Sequence, residues 1–274
     1  MKNKFGKAKT GRGKSKYTNK HKSPVPSIIE MVIREADLVL EVLDARFIEK
    51  TRNKGIEEEV KKQGKRLIYI FNKSDLVDID RIKKEKELGE LKPGLFFSSK
   101  ERKGSGTLKN LIKIEAHKLK KELVNIGVIG YPNSGKSSLI NYLVGKKVSR
   151  TSSEAGYTKG VQKIKIFEGV YLIDTPGVIP PAEKVWNTFL GKHSQIGAIT
   201  WDRTKEPDLV VHDIMKEFPG ALERYYRVDS ENNPEILIEN VGRKLCFLKK
   251  GNKVDEQRTA KKILKDWQEG KRFL

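Results

Sequence analysis

The chain has 274 residues, enough for one large domain or two modest ones with a real hydrophobic core. Its 57 Lys and Arg against 36 Asp and Glu give a formal net charge of +21, which favours phosphate-rich polymers; no run is long enough for a membrane-spanning helix, and the absence of an apolar stretch after Met1-Lys2-Asn3-Lys4 argues against a secretory signal. Cys246 is the one cysteine, which excludes an internal disulfide and fits a reducing compartment, and its apolar setting reads as a small core residue.

Residues 1–22 are rich in Lys and Arg, carry no acid and include several glycines, so they cannot bury enough surface to fold alone. Two readings stay open for this arm: it orders on RNA by neutralising phosphates, or it is a solubilising tail. Residues 24–36 predict a helix with Ile28, Ile29, Val32 and Ile33 on one side. A strand over 38–43 then ends at Asp44-Ala45-Arg46. A helix over 56–63 follows, and a strand over 66–71 delivers Asn72-Lys73-Ser74-Asp75. A helix broken near Gly89, a strand over 94–97 delivering Ser98-Ser99-Lys100, and a helix over 107–123 come next. Val124 to Ile129 is a β-branched run of the kind that makes a buried parallel strand, and it opens through a glycine-rich loop into a helix ending near Val144. The polar stretch 149–159 is expected to be mobile. Residues 161–167 and 170–173, joined at Glu168-Gly169, predict a hairpin that hands over Asp174-Thr175-Pro176-Gly177. Strand and helix alternate up to Pro180-Pro181, the pattern of a parallel sheet covered on both faces. Beyond it the chain is expected to be mostly helical, over 183–191, 194–200, 206–218 and 255–269. In the last of these Ala260, Ile263, Leu264 and Trp267 share a face and Lys261, Lys262 and Lys265 lie outward.

The glycine-rich loop, Gly130-Tyr131-Pro132-Asn133-Ser134-Gly135-Lys136-Ser137, fits G-x-x-x-x-G-K-S. Glycines in this pattern let the backbone wrap a pyrophosphate and point successive N–H groups at it, and the following helix adds its positive end. Lys136 is then the group for the β- and γ-phosphates and Ser137 a hydroxyl ligand for Mg²⁺, with Ser134, Gly135 and Ser138 in the same cradle. Asn72-Lys73-Ser74-Asp75 fits N-K-x-D, in which the Asp75 carboxylate accepts from guanine N1–H and the exocyclic amine that adenine lacks. Lys73 is expected to lay its stem over the base and Asn72 to tie neighbouring loops. Backbone amides of Ser98, Ser99 and Lys100 are the expected donors to guanine O6, against the alternative of a plain strand-end loop. Asp174 fits the acid that holds Mg²⁺, usually through water, with the Gly177 amide near the γ-phosphate, and Thr158 is the switch threonine that would close on Mg²⁺. Together these residues predict a site for GTP or GDP.

The order of these motifs is unusual, because N-K-S-D and S-S-K precede the phosphate loop. This order, with Asp44-Ala45-Arg46 and Thr51-Arg52-Asn53 upstream and Gly197-Ala198-Ile199 downstream, resembles the YlqF/RbgA and YawG group of ribosome-assembly GTPases from about His21 to Cys246. The resemblance implies an α/β, circularly permuted Ras-like P-loop GTPase domain with a six-stranded, mostly parallel sheet, followed by a small all-α RNA-binding domain. Residues 1–22, 23–180 and 181–274 are the corresponding arm, GTPase domain and helical domain. It further implies a task in maturing the large ribosomal subunit. The protein is expected to be cytoplasmic and a monomer and to act on the large ribosomal subunit precursor and its rRNA, with hydrolysis stimulated by the particle and used for release. A GTP-gated RNA-binding scaffold with incidental hydrolysis is the alternative. Val178 stands where Ras-like proteins have the glutamine that orients water, so intrinsic turnover is expected to be slow. Asn133 matches a residue that coordinates K⁺ in related GTPases. His21 occupies the place of a histidine implicated in hydrolysis, or else contacts RNA. Two departures from the group's pattern are Ala155-Gly156-Tyr157-Thr158 and the Phe47-Ile48 that follows Asp44-Ala45-Arg46.

Overall fold

A computed structural model describes residues 27–85, 88–145, 162–174 and 200–270. The chain begins with α1 (Ser27–Glu35), β1 (Leu38–Asp44), α2 (Ile48–Thr51), α3 (Lys54–Lys62) and β2 (Arg66–Asn72). After a 3₁₀ turn at Ser74–Leu76 come α4 (Ile79–Glu85), a second 3₁₀ turn at Leu88–Glu90, β3 (Gly94–Phe96), α5 (Ser105–Lys118), β4 (Val124–Gly130) and α6 (Lys136–Val144). The hairpin β5 (Gln162–Phe167) and β6 (Val170–Asp174) follows.

These strands form one six-stranded sheet in the order β3-β2-β1-β4-β6-β5, in which β5 alone is antiparallel. β1 lies at its centre, between β2 and β4, and all seven of its residues are buried. That is why its residues are apolar on both faces, apart from Glu41 and Asp44: a strand covered on both faces has no solvent side to alternate toward. On one face Leu38, Leu40, Val42 and Ile126 pack against Leu108 and Ile112 of α5 and Leu139 and Leu143 of α6. On the other, Val39 and Ile129 meet Val32 and Ile33 of α1 and Ile56 and Val60 of α3. The parallel direction brings the carboxyl ends of β1, β2, β3, β4 and β6 to one edge, the place where open α/β sheets take ligands.

A helical region completes the described chain: α7 (Pro207–Glu217), α8 (Ala221–Tyr226), α9 (Pro234–Lys244), the short ribbon β7 (Leu248–Lys249) and β8 (Lys253–Val254), and α10 (Glu256–Gln268). Its core is built from Val211, Ile214, Leu237, Val241, Ile263, Leu264 and Trp267, and it takes in two residues from the sheet-bearing part, Phe47 and Tyr131. Phe47 meets Phe218 edge-on at 5.8 Å between ring centroids and lies 6.1 Å from the Trp267 ring. Two residues at the ligand edge of the sheet are therefore anchors of the helical core.

Several expectations need correction. α5 ends at Lys118, short of the predicted 123, because Lys120 takes the left-handed conformation (φ 51°) and turns the chain into β4. α8, α9 and the β7–β8 ribbon were not foreseen, although Asn233 followed by Pro234 is a helix-start signal; the Asn233 side chain accepts from the Glu235 and Ile236 amides. Cys246 is exposed, not in the core. It follows the end of α9 in the left-handed conformation (φ 56°), and the Phe247 amide reaches back to the Gly242 carbonyl at 2.9 Å, a helix stop that turns the Cys246 side chain outward. The predicted helices over 183–191 and 194–200 and the arm fall outside the described residues, except for Thr200.

Candidate functional site

The phosphate-type loop connects β4 to α6, in adjacent positions to the carboxyl end of β1: Val42 is the register partner of Gly130. Asn133 sits at the loop's exposed tip with φ 59°, and Ser134 is buried behind it. Gly135, at φ 100°, is where the loop turns into the helix, and a methyl group there would lie 2.0 Å from the Asn72 amide nitrogen. Lys136 Nζ donates to the Tyr131 carbonyl at 2.7 Å and has no ion pair among the described residues. Burial pulls its pKa down from the ordinary lysine value to about 8. A desolvated ammonium held by one carbonyl, at the amino end of α6, is suited to an incoming anion.

The second loop leaves β2 at Asn72. Its side chain is 2% exposed and makes three bonds: Nδ2 donates to the Ser134 carbonyl at 2.8 Å, and Oδ1 accepts from the Ser99 hydroxyl at 2.8 Å and the Ser99 amide at 3.2 Å. One amide thus fastens the β2, β3 and β4 loops together. The Ser98 hydroxyl donates to Asp75 Oδ1 at 2.6 Å and accepts from the Glu101 amide at 3.0 Å, which fixes the direction of the Asp75 carboxylate. The Ser98 amide donates to the Lys103 carbonyl at 3.1 Å. Of the three amides expected to face a base, two are thus occupied within the protein, and the Lys100 amide has no such bond among the described residues.

Asn72, Lys73, Asp75, Leu76, Ser99 and Lys100 line a cavity of about 250 Å³ together with Gly135, Ser138 and Glu269. The expected base-reading and phosphate-binding loops therefore share one cleft. Ser137 lies in the first turn of α6 and Asp174 is the last residue of β6, the strand beside β4. Thr158, Gly177 and His21 lie outside the described residues, as does Val178.

Three participants were not assigned a role from the sequence. Asp44, at the end of β1 and 1% exposed, takes Lys73 Nζ on Oδ2 at 2.8 Å and holds Arg46 through Nε to Oδ1 at 3.0 Å and Nη2 to Oδ2 at 2.8 Å. Burial would raise its pKa, but the two cations outweigh that and hold it at about 2. Arg46 in turn donates from Nη1 to the Trp267 carbonyl at 2.8 Å, so the base-side lysine is linked by buried contacts to the end of α10. Glu269, just past that helix, reaches the cavity wall. Gly270 (φ 74°) packs so tightly that a methyl group there would lie 2.3 Å from Leu76 Cδ1. The signal for Asp44 and Arg46 was present as an Asp-Ala-Arg at a strand end; Glu269 had none, since 194 residues separate it from Asp75.

Residues 125–241 match the family model described as a 50S ribosome-binding GTPase. The chain is 39% identical over 255 residues to an uncharacterized GTP-binding protein, MJ1464, of Methanocaldococcus jannaschii, covering 91% of this chain and 66% of that one. It is 36% identical over 251 residues to nucleolar GTP-binding protein 2 of Saccharomyces cerevisiae, covering 88% of this chain and 50% of that one, so it spans between half and two thirds of these relatives. Among solved structures, GDP-bound YlqF superposes with a TM-score of 0.62 at 24% identity over 89% of this chain and 94% of that one, and GNP-bound YlqF from T. maritima with a TM-score of 0.59. With N-K-S-D placed ahead of the phosphate loop on this six-stranded sheet, the chain has the circularly permuted fold of the YlqF structures and is similar in sequence to GTP-binding proteins.

Proposed function

We propose that the protein binds and hydrolyses GTP in the shared cleft and uses that cycle to join and leave a precursor of the large ribosomal subunit. The observation that carries this reading is the Asn72 side chain, which fastens the Asp75 and Lys136 loops across one cavity. Guanine would lie against the Lys73 stem, its N1–H and amine on Asp75 and its O6 toward the Lys100 amide. The phosphates would run over Ser134, Gly135, Lys136, Ser137 and Ser138, with the Gly177 amide on the γ-phosphate.

Ser137 lies in the first turn of the helix that follows β4 and Asp174 ends the strand beside β4; both are oxygen-bearing residue types that suit a hard cation, and with Thr158 they would hold Mg²⁺. When bound, Mg²⁺ neutralises developing charge between the β- and γ-phosphates. Asn133, exposed at the loop tip, would hold K⁺ where an arginine finger's charge would otherwise fall. Val178 can neither orient nor deprotonate water, so turnover stays slow until the particle contributes the missing group, or brings His21 to the attacking water. The relatives' printed names and the net charge of +21 support an RNA-rich partner, contacted by the basic arm and the helical region. We place this activity in the cytoplasm and in a monomer.

The test is GTP turnover in KCl, with and without purified large subunits. Stimulation supports the reading. Tight GTP binding with unstimulated turnover would replace it with a GTP-gated scaffold, a reading with which Val178 is equally compatible. Equal competition by ATP and GTP would remove the guanine assignment.

A further inference from the structure

A second concavity, of about 420 Å³, runs along the outward stripe of α10 and shares no lining residue with the nucleotide cleft. Its walls are cationic and aromatic. The Arg258 guanidinium carbon sits 4.2 Å from the Phe247 ring centroid, and Lys265 Nζ lies 5.0 Å from that of Trp201. Arg258 and Lys265 are two helical turns apart, about 10 Å, and Lys261 and Lys262 occupy the turn between them. One stripe of α10 thus carries cations along its length with an aromatic plane at each end.

Both rings are held by the backbone around them. The Phe247 amide donates to Gly242 and its carbonyl accepts from Asp255 at 2.8 Å, while the Trp201 amide donates to Gln268 Oε1 at 2.9 Å and its ring packs against the helical core. The acids nearby do not cancel the stripe. Asp255 caps α10 by accepting from the Arg258 amide at 3.2 Å and also meets Lys249 at 3.2 Å. Asp266 engages Lys262 at 2.5 Å, and Glu269 lies 3.8 Å from Lys265. Arg258 and Lys261 have no ion pair among the described residues.

We propose that this groove binds single-stranded RNA, with phosphates along Arg258, Lys261 and Lys265 and unstacked bases against the Phe247–Arg258 and Trp201 planes. Every nucleobase offers a face for stacking on an aromatic ring or a guanidinium plane, and cations spaced along a helix follow a phosphate backbone. An acidic protein would satisfy the lysines but leave the two planes at the groove's ends without a function. The proposal rests on the reading that the protein works on RNA, and it locates one contact of that reading in this groove.

The test uses the full chain with bound GDP, titrated into fluorescently labelled single-stranded and duplex RNA at salt from about 50 to about 200 mM. Arg258→Ala with Lys261→Ala should weaken single-strand binding roughly tenfold and lower the salt slope by about 1 to 2. Phe247→Ala should also weaken it roughly tenfold, and Phe247→Tyr, which keeps the plane, should restore it. GDP affinity and the melting temperature of the Arg258 and Lys261 variant should stay at the parent values, since both side chains are outside the core. Parent-level RNA binding by the folded charge variant, or equal losses by the Ala and Tyr variants at Phe247, would overturn the groove while leaving RNA binding by the arm intact. Displacement of RNA by poly-glutamate at equal charge concentration would overturn it in favour of an acidic protein. Failure of the unaltered protein to bind any RNA would overturn the reading beneath it.

Discussion

Lys73 and Asp44 form an ion pair, Nζ to Oδ2 at 2.8 Å, at the point where the base-side loop crosses the end of the central strand. Arg46 shares the same carboxylate and continues to the Trp267 carbonyl. A displacement of Lys73 would thus reach the end of α10 through side chains with little room to move: Asp44 is 1% exposed and the Arg46 side chain 4%. The Asp44 cluster thereby joins the loop after β2 to the helical region through side-chain contacts.

Asp44→Asn should therefore harm both stability and binding. It leaves two cations without a counter-charge, one of them nearly fully buried, a change that typically costs about 3 kcal/mol or more. Urea unfolding should show this loss, and GDP titration should show affinity falling about tenfold as Lys73 is freed from its anchor. A variant with an unchanged unfolding midpoint and unchanged GDP affinity would show that Asp44 organises neither.

Asn72 and Gly135 should behave as one unit. Asn72→Ala removes three hydrogen bonds that join the loops, and Gly135→Ala drives a methyl group to 2.0 Å from the Asn72 amide nitrogen. Each should cost at least about tenfold in GDP affinity. The double variant should lose clearly less than the product of the two, because the group that clashes is gone. Full multiplicativity by isothermal titration would mean the clash is not what excludes a side chain at 135.

Nucleotide affinity should depend on pH through Lys136, whose pKa of about 8 in the free protein comes from burial. Phosphates favour the ammonium form and raise that pKa, so binding takes up a proton above pH 8. GDP affinity should be level below pH 8 and fall with a slope approaching roughly tenfold per unit above it. Lys136→Arg should flatten this part of the profile even as it weakens binding; an unchanged profile would assign the titration to another group.

Glu41 gives a pH dependence of stability with the opposite origin. It is buried in β1 under α3, burial and the neighbouring Glu57 raise its pKa to about 8, and Oε2 has no hydrogen-bond partner among the described residues. Arg52 and Tyr69 face the same cluster but are engaged by Glu57, Arg52 Nε at 2.6 Å and the Tyr69 hydroxyl at 2.9 Å. Between pH 4.5 and 8 the unfolded chain has released this proton and the folded protein has kept it, so the Glu41 contribution to stability falls across that window and levels off above it. Glu41→Gln should remove this decline and raise the melting temperature most at pH 8. An equal shift at pH 5 and pH 8 would contradict the assignment.

How much was legible follows from how local each signal is. The six strands, the phosphate loop and N-K-S-D could be read because each is a contiguous pattern: a strand covered on both faces is apolar throughout, and a loop that wraps phosphate needs glycines at fixed spacing. α9 carries a readable start at Asn233-Pro234, where the Asn233 side chain caps the first turn. The direction of the Cys246 side chain was not readable, since an apolar neighbourhood in sequence does not say that the residue falls one place past a helix end.

The sequence by itself determined which groups the cleft can offer, a lysine and glycines in one loop and an aspartate in another, and it determined their permuted order. Only the tertiary structure decided how those parts are held. Asn72 needs the Ser134 carbonyl, 62 residues away, and Arg46 needs the Trp267 carbonyl, 221 residues away. Such bonds are made by parallel strands and packed helices that bring distant backbone groups within 3 Å, and no spacing along the chain encodes them. The same holds for Phe47 and Tyr131, which look like loop residues in sequence and become core residues only when the helical region closes over them.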